Sequence, residues 1–207
     1  MNSKVVEATS EDIPYIASSI LRAIQTDSSA GLLKHTLCHL NEQDILKTVT
    51  SLLSTKSKHY AHVSNFLIAK HDKSNIGLIC AYEPRVATIS KLQEGLDEIG
   101  SSVNAEQSAA LFLKMLPDSD RKTWILDFAY VDSEFEKMTI FSDLVKKALL
   151  KARLKGYRKA QTIIDIESVE VALLYKKLGF EVSCECIDEL YEQEFKRAGV
   201  VVLNSTL

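Results

Sequence analysis

The sequence predicts a single α/β (α+β) domain over residues 1–207. Three features predict it. Apolar runs of strand length alternate with amphipathic stretches of helical period along the whole chain. No Pro/Gly-rich linker, internal repeat or low-complexity tract divides the 207 residues. Residues 124–182 set an apolar strand, a long amphipathic helix, a second strand and a short helix in series, which is the order of a βαβα unit.

Val5–Ala8 is strand-like. Thr9, Ser10 and Asp12 then supply capping chemistry for a helix whose apolar face is Ile13, Ile16, Ala17, Ile20, Leu21 and Ile24. Thr26–Gly31 reads as a polar loop. Leu32–Leu40 and Ile45–Leu53 read as helical, the second opened by Asn41. Phe66–Lys70 and Ile76–Tyr82 read as a hairpin with a loop of about five residues, HDKSN, and Pro84 closes it. Residues 85–120 read mainly as helix, with Ile89, Leu92, Leu96 and Ile99 on one face and Pro117 and Asp118 at the end. Trp124–Val131 is the next strand. A long helix follows, striped by Phe141, Leu144, Val145, Ala148, Leu149 and Ala152, with Gly156 as a left-handed stop. Ala160–Ile166 is a strand. Val171, Leu174, Tyr175 and Leu178 repeat at helical spacing, Gly179 ends that helix, and Phe180 stands where a C-terminal cap wants an apolar contact. Strand-like pieces at Glu181–Ile187 and Val200–Leu203 are joined by a polar, helical segment.

The formal charge is -3 with lysines and arginines scattered, which argues against nucleic acid as the main partner. No apolar run approaches membrane-spanning length, and residues 1–20 lack a basic-then-apolar leader. Cys38, Cys80, Cys184 and Cys186 form no CxxC pair and read as free thiols of a cytoplasmic protein. His35, Cys38 and His39 lack a fourth ligand, so a semi-exposed helix face is expected rather than a metal site. Cys184 and Cys186 are expected on opposite faces of a strand, which argues against a chelate. Tyr15, Tyr60 and Tyr82 read as packing residues that could also line a cleft.

The whole arrangement resembles the GNAT superfamily of acyl-CoA N-acyltransferases. Val5–Ile24 matches the family's opening, Phe66–Tyr82 its second and third strands, Trp124–Ile166 its acetyl-CoA-binding unit and Ser168–Phe180 the segment after it. The ending LLYKKLGF is the most specific signal, similar to the family's LYxKxGF. The resemblance implies a mixed, mostly antiparallel sheet flanked by helices, with residues 85–120 as a helical insertion. It implies direct acyl transfer from acetyl-CoA, or a related acyl-CoA, to an amine.

The family's pyrophosphate pattern, (Gln/Arg)-x-x-Gly-x-(Gly/Ala), falls on Glu136, Lys137, Met138, Thr139, Ile140 and Phe141. Such loops aim backbone N–H groups at an anion, and glycine permits the turn. Here the basic or amide position is acidic, the first glycine is Thr139 and the second small residue is Phe141, so weakened or altered cofactor affinity is expected. Glu134 adds a further negative charge. By the same resemblance, the main chain of Phe128, Ala129, Tyr130 and Val131 holds the pantetheine arm. Ser168 takes a cofactor-contacting position, Tyr175 is the acid at the sulfur and Asp127 is the base for the amine.

Each residue also has a plain structural reading. Tyr175 and Phe141 lie on apolar helix stripes and can be core. Asp127, inside an apolar strand with Ile125, Ala129 and Val131 on its face, can be one half of an ion pair. Ser168 can be a helix N-cap. Two rival functions stay open: a non-catalytic GNAT-fold binding module, and an acyltransferase fed by a carrier protein. A homodimer through a C-terminal strand edge is compatible with either.

Overall fold

The computed structural model describes residues 3–25, 31–116, 122–132 and 137–207. Among the described residues, seven strands form one sheet in the order β1-β2-β3-β4-β5-β7-β6. They are β1 (Lys4–Glu7), β2 (Phe66–His71), β3 (Ser74–Tyr82), β4 (Thr123–Val131), β5 (Lys159–Asp165), β6 (Glu181–Ile187) and β7 (Gly199–Thr206). Only β4 and β5 run parallel; the other neighbours are antiparallel. The helices are α1 (Ile13–Gln25), α2 (Gly31–Leu37), α3 (Glu42–Leu52), α4 (Ile89–Glu98), α5 (Ala105–Ser108), α6 (Ala110–Met115), α7 (Lys137–Leu154), α8 (Val169–Lys177) and α9 (Glu189–Phe195).

Each sheet face carries its own core. On one face Ile16 and Ile20 of α1, Val49 and Leu52 of α3 and Leu92 and Leu96 of α4 pack with Ile68 and Leu78. On the other, the α7 stripe packs against Leu67, Ile79, Trp124 and Leu126. The expected stripe residues from Phe141 to Ala152 are all buried. At the chain's opening, Thr9 N and Oγ1 donate to Asp12 Oδ2 at 2.9 and 3.1 Å. Asp12, 2 % exposed, also accepts from Lys70 Nζ at 2.8 Å and Asn75 Nδ2 at 3.1 Å, which ties α1 to the β2–β3 hairpin. Asn41 caps α3 as the sequence predicts, accepting from Asp44 N at 3.0 Å.

Three expectations need correction. The β2–β3 turn has two residues, Asp72 and Lys73, because His71 pairs with Ser74; Asp72 supports the turn at φ 54. The Leu32–Leu40 helix starts at Gly31 and stops at Leu37. The faces of β4 do not alternate as expected. Ile79 opposes Ala129 but Ala81 opposes Leu126, so Cys80 faces both Asp127 and Phe128 across a β-bulge. The extra residue resets the parity. Trp124, Leu126, Ala129 and Val131 all pack on the α7 side, while Phe128 and Tyr130 turn to the α1 side. The Asp127 side chain therefore leaves the sheet on the face opposite to those of Ala129 and Val131.

A candidate ligand cleft between β4 and β5

β4 and β5 pair only from Thr123↔Lys159 to Leu126↔Thr162. Beyond that point β5 continues along β7 to Asp165, while β4 continues along β3 to Val131. The two parallel strands splay apart, and from Asp127 onward the β5-facing edge of β4 has no strand partner. A cleft of about 370 Å³ opens there, walled by β4, Ile164 of β5 and the first turns of α7 and α8.

The cleft gathers many of the residues the sequence singles out. Asp127, Ala129, Val131, Lys137, Phe141 and Ser168 line it, and so does Tyr175. The side chain of Phe128 packs in the opposite core, and Tyr130 turns its hydroxyl toward Arg22 Nη1 at 3.4 Å. Ile140 is buried against Gly77. Met138 and Thr139 are not in the lining. Glu134 and Glu136 lie outside the described residues. Thr139 sits within α7, and no positive φ falls there, so the expected backbone conflict at that position does not arise. Phe141 is both wall and core: its ring packs edge-on against Tyr175 at 5.0 Å, leaving the cleft open.

Tyr175 is 1 % exposed. Its place is fixed by the end of α8. Phe180 N donates to Tyr175 O at 3.1 Å and Gly179 N to Lys176 O at 3.0 Å, with Gly179 at φ 86. This is a Schellman closure, and the Phe180 ring completes it edge-on to Tyr175 at 5.1 Å. No heavy atom lies within 4 Å of a Cβ added at Gly179. Gly179→Ala should therefore cost only the left-handed penalty, about 1–2 kcal/mol, read by denaturant unfolding; an unchanged midpoint would show that the closure does not hold α8. The Tyr175 hydroxyl and the neighbouring Thr162 Oγ1 are buried and meet no polar side chain but each other. Burial pushes the phenol up to about 12, Thr162 acts the other way, and the Asp127 charge adds to the rise.

Asp127 is half-buried at the bulge. Removal from water pushes its carboxyl up to about 6, partly offset by the Leu32 N–H, which donates to it. The ion-pair reading is not met, since no cation pairs with Asp127 among the described residues. What packs against it is Gly31, at φ 55: a Cβ there would lie 1.7 Å from Asp127 Oδ1. Sequence reasoning gave Gly31 to a loop and missed this approach. Ser168 stands at the N-cap position of α8 but makes no side-chain cap hydrogen bond, so its hydroxyl is left facing the cleft. Glu167, Glu170, Val171 and Leu174 complete the α8 wall. Val171 and Leu174 belong to the stripe read as core; Glu167 and Glu170 carried no signal.

Other candidates fall elsewhere. His35 is 3 % exposed, stacked on Phe112 at 4.2 Å, with burial lowering it to about 3. The expected semi-exposed face is thus an aromatic core. His39 lies beyond the end of α2. Tyr60 and Tyr82 pack at 5.6 Å, and Tyr15 donates to Asp132 Oδ2 at 3.1 Å. Cys184 and Cys186 share a strand face, because side chains two residues apart do; their sulfurs are 3.9 Å apart, which corrects the opposite-face reading.

No known family's sequence pattern matches the chain, and no curated protein matches it. Solved structures do. An N-acetyltransferase from Staphylococcus aureus Mu50 superposes with TM-score 0.68 at 15% identity, over 97% of this chain and 99% of that one. A GCN5-related N-acetyltransferase from Kribbella flavida gives TM-score 0.63 at 14% identity, over 99% and 98%. The protein yncA from Salmonella typhimurium, solved with its cofactor acetyl-CoA, gives 0.59 at 12% identity, over 100% and 95%. With the mixed, mostly antiparallel seven-stranded sheet flanked by helices, these likenesses establish that the chain has the GNAT fold.

Proposed function

We propose that the chain is an N-acyltransferase that moves an acyl group from acetyl-CoA or a related acyl-CoA directly to an amine. The observation that carries this reading is the Tyr175 hydroxyl, buried with only the Thr162 hydroxyl beside it, at the wall of a cleft whose opposite wall is an unpaired stretch of β4 main chain. Two buried hydroxyls that meet only each other leave one O–H without an acceptor, which is costly unless something arrives to meet it. The free strand edge fits an extended chain bearing amide groups, as the pantetheine arm is. Phe141 leaves that room open.

An acyl-CoA, when bound, supplies an activated thioester. Asp127, at about 6, is ionised at neutral pH and takes the proton of an incoming ammonium, freeing its lone pair. The main chain of residues 128–131 holds the donor arm. Tyr175, with its phenol at about 12, keeps its proton at neutral pH and offers it to the sulfur as the C–N bond forms and the C–S bond breaks. Lys137 and the start of α7 face the phosphates, with Ser168 on the arm. Residues 1–207 form one domain in this reading, with 85–120 as the insertion beside the acceptor side.

The cleft's described lining holds one cation, Lys137, against Asp127, Glu167 and Glu170. That imbalance favours modest phosphate affinity and keeps the carrier-fed and non-catalytic readings in contention. Calorimetry with acetyl-CoA separates them. Micromolar binding is expected; no heat at millimolar ligand would remove free acyl-CoA as the donor.

A further inference from the structure

We propose a second ligand site, for a small polyphosphate, at the end of the sheet opposite the cleft. The cleft lies at the C-terminal end of β4 and the start of α7; this site lies at the N-terminal end of β4 and the end of α7. The 18 residues of α7 separate the two by about 27 Å.

The cations come from separate parts of the chain. Arg85 follows β3, Lys122 precedes β4, Lys155 ends α7, and Arg158 and Lys159 lead into β5. Together with Tyr157 they line a cavity of about 500 Å³ with no carboxylate among its described lining residues. On a chain of formal charge -3, that concentration reverses the local field. Glu83, which borders the site, is already engaged. Burial acts to raise its carboxyl, but Lys155, Tyr157 and Arg85 together hold it below the ordinary value. The α7 carbonyls are closed as well: Tyr157 N donates to Ala152 O at 3.0 Å and Gly156 N to Arg153 O at 2.9 Å, with Gly156 at φ 84. The negative end of the helix is thus partly satisfied within the chain.

A second, independent observation points to an acceptor-rich ligand. An adjoining cleft of about 380 Å³ shares Lys155 and adds Lys58 and Lys151, with Glu7, paired to Lys151 at 2.8 Å, and Glu83 also in its lining. Trp124 lines it, 1 % exposed, and its indole N–H has no hydrogen-bond partner. Indole nitrogen only donates, so the group it lacks is an acceptor. A chain of two or three phosphates, free or carried by a nucleoside, supplies charge for the arginines and lysines and oxygens for the indole.

The protein carries its own reporter, because Trp124 is the only tryptophan and Lys155 lies over its ring at 5.3 Å from the centroid. Titrating the full chain with inorganic tripolyphosphate at low salt should give a saturable change in tryptophan emission that weakens as salt rises. ATP in place of tripolyphosphate tests the source of the phosphates; equal or tighter binding supports the site. Charge reversal by Arg158→Glu with Lys159→Glu, folding checked by circular dichroism, should weaken binding at least tenfold. Lys137→Ala, at the other end, should leave it unchanged. The proposal is overturned by no saturable change, by a change that chloride reproduces at matched ionic strength, by one that survives charge reversal, or by one that Lys137→Ala removes. Much tighter binding of a long oligonucleotide than of ATP would assign the surface to a macromolecule instead. Because coenzyme A also carries a nucleoside-borne pyrophosphate, acetyl-CoA calorimetry on the Arg158→Glu, Lys159→Glu protein reads the distant cleft separately from these outcomes.

Discussion

Asp127→Asn should lower turnover by about 10²–10⁴-fold and, at the same time, make the protein more stable at neutral pH. The two effects share one cause. In the fold the Asp127 carboxyl is raised from 3.8 to about 6 by loss of water around it. Between those values the folded chain binds more protons than the unfolded one. Stability attributable to this group is therefore greatest at acid pH, falls as pH rises from about 4 to about 6, and stays low above that. Asparagine removes the charge and still offers an oxygen to the Leu32 N–H. A gain of about 1–3 kcal/mol at pH 7 is expected, shrinking toward zero near pH 4. The wild-type kcat/KM should rise with pH through an apparent pKa near 6, because the ionised form is the base. Denaturant unfolding at several pH values and a pH–rate profile test both halves. A variant that loses stability at pH 7 while keeping its turnover would mark Asp127 as a structural carboxylate.

The same residue shows where sequence reading stops. An acid inside WILDFAYV was legible as a candidate, because a carboxylate in an apolar strand demands a reason. Its surroundings were not. Face assignment by alternation fails at Asp127 because β4 spends two residues, 127 and 128, opposite the single Cys80. Nothing local announces that bulge, since neither residue is a glycine; the widening β4–β5 pair and the helices on both faces set it. Gly31 was legible as a loop residue but not as the one position where α2 can touch the carboxylate. The basic cavity is a similar case. Its cations are scattered in sequence and converge only because β3, β4, β5 and α7 all end together.

What was legible follows from local rules strong enough to survive packing. The α7 stripe, the Gly156 and Gly179 stops and the Phe180 contact back onto α8 rest on helical period and positive φ, and all occur. The two-residue turn at Asp72 was missed because His71 and Ser74, polar enough to read as loop, are strand residues at a solvated hairpin end. The motif at residues 136–141 was placed on the right segment, yet the penalty assigned to Thr139 assumed a loop conformation that α7 replaces with helix.

Tyr175→Phe should cut kcat on the order of 10²-fold, leave acetyl-CoA affinity nearly unchanged and alter stability by no more than about 1 kcal/mol. The argument rests on what the hydroxyl lacks. Phenylalanine keeps the edge-on contacts to Phe141 and Phe180, which place the ring. It removes only a buried hydroxyl whose one polar neighbour is Thr162. A packing tyrosine gains nothing from such an oxygen, so the fold alone gives no reason to retain it. A donor held at about 12 stays protonated across the working pH range and can act when negative charge develops on sulfur. The signature is thus a loss in kcat with KM for the acyl donor and the unfolding midpoint both preserved. Equal turnover in the two proteins would take Tyr175 out of the chemistry, and the buried hydroxyl would then need a ligand of another kind to explain it.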